Sequence, residues 1–202
     1  MVVCVVVVLW LYNSTVLITV KGPLWILYLL YLCFRFFKLT GPVFTFVARD
    51  LSKKISVVHG HLQSNQGASY QSLQSMIEYE LNNGTASAKG SGTRTMLRLH
   101  WALEFIIEFM DKLRFVTGDT KTSKLVYDIY HKTLYNHHPW WTQKLAYLAV
   151  HTLPSIKVLI DIMCKQDYEE VKVLLSDIVE VGRPILNYTT ALYAKHNLSN
   201  IV

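Results

Sequence analysis

The sequence predicts an all-α protein. Apolar residues recur at spacings of three and four in one segment after another. No segment alternates apolar and polar residues as a half-buried strand would. Short breaks rich in Gly, Pro and Ser separate the periodic runs. Periodicity gives about eight helices, and no internal repeat is present. With 202 residues the chain can bury a core without disulfide or metal staples.

The elements follow in order. Residues 2–20, VVCVVVVLWLYNSTVLITV, carry no charge and approach the ~20 apolar residues of a bilayer span. No basic stretch precedes them as in a signal peptide. The nearby cations Lys21, Arg35 and Lys38 all follow, so a span would leave the rest of the chain on the cytosolic side. Asn13, Ser14 and Thr15 interrupt the run, which leaves a buried first helix or an atypical start as alternatives. Residues 1–21 are therefore set apart, as a possible membrane anchor, from a domain over residues 22–202. After Gly22-Pro23, LWILYLLYLCFRFFK is apolar nearly all round and reads as a buried helix. Thr40-Gly41-Pro42 starts the next helix, which runs to about Leu62 with Phe44, Val47, Leu51, Ile55, Val58 and Leu62 on one face.

Tyr70, Leu73, Met76, Ile77 and Leu81 mark another helix, and the small, polar NNGTASAKGSG a flexible loop. The long helix from about Thr93 to Phe115 is apolar around most of its circumference and should be central. Thr117-Gly118-Asp119 is a turn. Leu125, Ile129 and Leu134 give a helix ending near HHP. Pro139 suits the first position of the next helix, carried on by Leu145, Leu148 and Ala149. Ser155 follows a break as an N-cap, and Asp167 with Glu170 forms a capping pattern before a last helix that Pro184 should kink.

Composition narrows the function. Apolar residues make up 51% and charged residues 17%, while the formal charge is +6, suited to an anionic partner such as a membrane surface or a phosphate. No Lys/Arg run is dense enough for a nucleic-acid arm, so no nucleic-acid partner is expected. Cys4, Cys33 and Cys164 form neither a disulfide framework nor a zinc pattern. His137, His138 and His151 have no carboxylate at ligand spacing, so no metal and no cofactor is expected. Phosphate-cradling Gly loops, nucleophile elbows and paired catalytic carboxylates are absent, which argues against an enzyme.

Two charged groupings stand out against the apolar background. Asp50 and Lys54 lie one helical turn apart within an apolar row. They read either as a solvated surface pair or as part of a site. Arg94 and Arg98, also one turn apart, lie in the first turns of a helix whose body is apolar. Two guanidinium forks at a helix N-terminus beside apolar surroundings suit an anion; two snorkelling arginines are the alternative. Trp140 and Trp141 at a helix start read as core or as interfacial anchors.

Several blocks, in order, resemble the glycolipid transfer protein family, and specifically its ceramide-1-phosphate branch. They are GPVFTFVARDLSKKI, SYQSLQSMIEYEL, TRTMLRLHWALEF, HHPWWTQKLAYLAVHTLP and ILNYTTALYAKHNL, covering about residues 24–202. The resemblance implies a two-layer α-helical sandwich that takes lipid chains between its layers. It implies non-enzymatic transfer of ceramide-1-phosphate by a monomer, cytosolic and peripheral on membranes. In it Asp50 takes the acid that orients the sphingoid amide and hydroxyl, and His138 the donor to the amide carbonyl. Lys54, Arg94 and Arg98 take the cations around the phosphate, and Trp140 the membrane contact. At position 98 the sugar-binding branch has a Trp for hexose stacking; Arg98 suits a phosphate instead. Position 137, commonly Tyr in the sugar-binding branch, is His here. Glycolipid transfer and a membrane-anchored sphingolipid sensor are the alternatives.

Overall fold

The structure, a computed structural model, describes residues 45–116, 121–163 and 168–201. The expectations for the apolar segment 1–21, the helix after Pro23, the helix start at Pro42, the turn at 117–119, the three cysteines and the Asp167 cap lie outside these residues. Seven helices are described: α1 (Thr45–Leu62), α2 (Leu73–Asn82), α3 (Gly92–Leu113), α4 (Thr122–Thr133), α5 (Trp140–His151), α6 (Ile156–Met163) and α7 (Tyr168–Lys195). Short 3-10 turns at Gly67–Tyr70 and Tyr135–His137 precede α2 and α5.

The central position expected of α3 is the one it takes: it packs on α7, α1, α4 and α2. Its Met96, Leu99, Leu103 and Ile107 meet Leu51 and Val58 of α1, Met76 and Ile77 of α2, and Ile178, Val179, Leu186 and Tyr193 of α7 in one core. A second cluster joins Leu113 of α3 to Ile156 and Ile160 of α6 and Val171 and Leu175 of α7. Burying each such side chain contributes about 1.5–3 kcal/mol. Where α3 and α7 touch, Gly182 leaves no room for a side chain, since a Cβ there would meet Ile107 Cδ1 at 2.3 Å. Above this contact Arg183 reaches Glu108 at 2.8 Å and Asp111 at 2.7 Å, and Lys132 reaches Glu108 at 3.1 Å, tying α3 to α7 and α4.

Ser155 caps α6, accepting from the Val158 N–H. α7 runs on through Pro184; Pro184 and Glu180 are exposed, so water can take the carbonyl that the proline leaves without a donor. Among the described residues no helix is long and apolar enough to cross a membrane.

Three local readings change. In α2 the inward position belongs to Glu80, 1% exposed, while Leu81 points outward, because Glu80 continues the 73–76–77 face at helical spacing. Pro139 is the N-cap of α5 rather than its first helical residue. Leu145 and Leu148 are exposed, and only Ala149 and Val150 of α5 are buried. The helix rests on its neighbours along one narrow edge.

Candidate functional site

Three segments converge at one end of the core. On α1, Lys54 Nζ donates to Asp50 across one turn, with Lys54 tucked in and Asp50 exposed. On α3, Arg94 and Arg98 are both half-buried in the first two turns. The Arg94 Nε is buried with no hydrogen-bond partner among the described residues. The third segment is the turn before α5, where His138 is extended between the 3-10 turn and Pro139.

Electrostatics link the three. Burial depresses the Arg98 pKa, the adjacent Arg94 charge depresses it further, and the Asp50 carboxylate opposes both. Burial likewise pulls the His138 imidazole below its usual value; Asp50 pushes it up, while Lys54 and His137 push it down. Asp50 therefore acts on a side chain of α3 and on the turn before α5 at once. The sequence-predicted residues Asp50, Lys54, Arg94, Arg98 and His138 share one locus.

The turn that presents His138 is held in place. The Gln143 amide donates to the carbonyls of Tyr135 and His138, both at 2.9 Å. His138 Nδ1 lies 3.0 Å from the Tyr130 hydroxyl of α4, which leaves Nε2 as the ring nitrogen free to meet a ligand. Burial pushes the Tyr130 phenol up to about 12, so its proton stays in place. The neighbouring His137 stacks on Trp101 of α3, centroids 3.7 Å apart and planes 10° off parallel. His151, at the far end of α5, bonds the Tyr147 carbonyl instead. The three histidines do not converge, and no cluster able to hold a metal exists among the described residues.

One expectation about α3 needs correcting. Its N-terminal N–H groups are not open to an anion, because Glu80 accepts those of Gly92 and Thr93 at 2.7 and 2.8 Å and Ser91 Oγ accepts that of Arg94. An anion here must bind through the guanidinium groups. Beside the site, α5 presents Trp140 at 74% exposure together with Trp141 and Leu148. This is an apolar face that a soluble surface seldom carries.

The model of the glycolipid transfer protein family matches residues 27–165. The chain belongs to the glycolipid transfer protein family. It is 37% identical over 164 residues to the ceramide-1-phosphate transfer protein of Danio rerio, covering 78% of each chain. Its structure matches the apo crystal structure of mouse ceramide-1-phosphate transfer protein with a TM-score of 0.80 at 33% identity over 85% of each chain. It matches the human protein in complex with 12:0 ceramide-1-phosphate with a TM-score of 0.80 at 29% identity, covering 85% of this chain and 86% of that one. The α-helical sandwich implied by the resemblance is thus the fold, and its family is one of lipid-transfer proteins.

Within this family frame, four contributors were not singled out from the sequence. Tyr130 and Gln143 are the partners that fix His138. Trp101 carries the His137 ring, and Glu80 carries the end of α3. Only Glu80 left a usable signal, as a carboxylate in line with Leu73, Met76 and Ile77.

Proposed function

We propose that this chain carries ceramide-1-phosphate between membranes without covalent chemistry or a cofactor. The convergence of Arg94 and Arg98 with the Asp50–Lys54 pair and His138 carries the reading. Asp50 and Lys54 offset one another, so the two guanidinium groups set the net charge. A phosphomonoester carries about −1.5 to −2 at neutral pH, which two bidentate guanidinium forks match in charge and shape. The Arg94 Nε, without a hydrogen-bond partner among the described residues, can donate to a phosphate oxygen. Lys54, beside them, adds a third donor group to the phosphate.

The remaining residues read the ceramide. The exposed Asp50 carboxylate accepts from the amide N–H and the sphingoid hydroxyl. If the Tyr130 hydroxyl donates to Nδ1, Nε2 of His138 carries the proton and donates to the amide carbonyl. The lipid chains enter the apolar interior, where burial contributes about 25 cal/mol per Å². Trp140 sits two residues after His138, so membrane contact and headgroup site share one rim. The exposed Trp140, Trp141 and Leu148 enter the headgroup region of the bilayer. The similarity to ceramide-1-phosphate transfer proteins supports the same ligand. The protein works as a monomer on cytosolic membrane faces, with residues 22–202 as the lipid-binding domain and residues 1–21 as a separate segment.

A vesicle transfer assay with ceramide-1-phosphate and galactosylceramide tests the ligand. Faster transfer of the phosphate lipid is expected, and preference for the sugar lipid would overturn the reading. Trp101 of α3 has one face covered by His137 and so offers a hexose less to stack on. Membrane fractionation of the full chain against a chain starting at Gly22 tests the N-terminal segment.

A further inference from the structure

We propose that Glu80 is the positioning residue of the phosphate site: it fixes the end of α3 from which Arg94 and Arg98 project, without touching the lipid. The inference rests on the headgroup reading above. Glu80 belongs to α2 and is 1% exposed. One carboxylate oxygen accepts from the Gly92 N–H at 2.7 Å and the Tyr70 hydroxyl at 3.0 Å; the other accepts from the Thr93 N–H at 2.8 Å. A helix is ordinarily capped by its own flanking residue, and Ser91 does this for the Arg94 N–H at 3.1 Å. Glu80 adds a second, non-local grip on the two preceding N–H groups. The first turn of α3 is thereby tied to α2 at two consecutive peptides, the second of them adjacent to Arg94.

The surroundings are built for that grip. A Cβ on Gly92 would meet Met76 Sδ at 2.5 Å and the Tyr70 ring at 3.0 Å, so any side chain here would have to displace both. Tyr193 of α7 donates to the Thr93 carbonyl at 2.8 Å. The Tyr70 ring stacks on His61 of α1, centroids 4.6 Å apart, and His61 Nε2 lies 2.9 Å from the Gly90 carbonyl. Helices α2 and α7 and the turn carrying Tyr70 thus meet the two residues ahead of Arg94, with α1 backing them through His61. Among the described residues the hydrogen-bond donors to Glu80 are neutral N–H and O–H groups, and its carboxylate faces the positive end of the helix. A carboxylate at the end of the arginines' own helix opposes an incoming phosphate. The two roles therefore predict opposite signs: removing the charge alone would tighten phosphate binding, whereas loosening the grip would weaken it.

Glu80→Gln separates them, because the isosteric amide faces a backbone N–H with an NH₂. Affinity for ceramide-1-phosphate and for ceramide in vesicles of neutral lipid should be measured for the wild type, Glu80→Gln, Tyr70→Phe and Leu175→Ala. The last reports general destabilisation in the distant second cluster. In Glu80→Gln the preference for the phosphate lipid over ceramide should fall about tenfold, the scale of a weakened charge-assisted contact. Tyr70→Phe should lower it by about two- to threefold, from one bond to the same carboxylate. Leu175→Ala should leave the preference unchanged. An unchanged or raised preference in Glu80→Gln, or an equal fall in Leu175→Ala, would overturn the proposal; if Glu80→Gln does not fold, Tyr70→Phe decides by the same criterion. A wild-type chain with no preference for the phosphate lipid would instead remove the headgroup reading itself, and this inference with it.

Discussion

Replacing Arg98 with Leu tests the phosphate site most directly. The guanidinium is half-buried, and both burial and the neighbouring Arg94 work against its charge. Its removal therefore relieves repulsion in the empty protein, and leucine keeps the apolar part of the stem. The melting temperature should stay level or rise. Binding should respond in the opposite direction. With Asp50 offsetting Lys54, the charge facing the phosphate falls from two guanidinium groups to one. A hydrogen bond to a charged group contributes about 1.5–3 kcal/mol, which corresponds to about a 10- to 150-fold loss of affinity for ceramide-1-phosphate. Ceramide, which lacks the phosphate, should bind Arg98→Leu as well as the wild type. Equilibrium binding to both lipids, vesicle transfer of the phosphate lipid, and a thermal melt on the same sample give the full comparison. Affinity for ceramide-1-phosphate within threefold of wild type, or a parallel loss of ceramide binding, would refute the assignment of Arg98 to the phosphate.

Other outcomes follow from the same structure. His100 is buried, with its pKa pushed down to about 4 chiefly by burial. Below the unfolded value of about 6.5 the unfolded chain binds a proton that the folded one refuses, so stability falls as pH drops, by about 2 kcal/mol from this residue at pH 5; melts of His100→Gln and wild type between pH 7 and 5 should show a shallower decline in the variant. Trp140→Ala should slow vesicle transfer and weaken vesicle binding while leaving the melting temperature unchanged, because the side chain is 74% exposed; normal transfer would exclude Trp140 as a membrane contact. Gly182→Ala should destabilise by about 1–3 kcal/mol through collision with Ile107. Ile107→Val removes the colliding Cδ1, so the double variant should be more stable than the two single losses predict when added in a thermal-melt cycle.

Much of the fold could be read from residue spacing. The regular apolar recurrence in α1 and α3 reports burial directly, because a helix buries its apolar face against the core at 3.6 residues per turn. The placement of α3 at the centre follows from its apolar circumference in the same way. The reading failed where an apolar helix is not buried. Leu145 and Leu148 of α5 have the spacing of core residues, yet they are exposed, since periodicity records an apolar face and is silent on whether protein or lipid covers it.

The site divides along a similar line. The one-turn spacing of Asp50 with Lys54, and of Arg94 with Arg98, is fixed by helix geometry, so the sequence alone determines that each pair acts together. Whether the two pairs meet depends on how α1 packs on α3, and that is a property of the tertiary structure. The same holds for His138, whose orientation comes from Tyr130 on another helix and Gln143 across a turn. The sequence also suggested an anion at the positive end of α3. The fold had already assigned those N–H groups to Glu80, twelve residues upstream of the first of them, which leaves the guanidinium groups as the donors a phosphate would meet there. Local spacing sets which charges travel together; only packing sets which of them a ligand can reach.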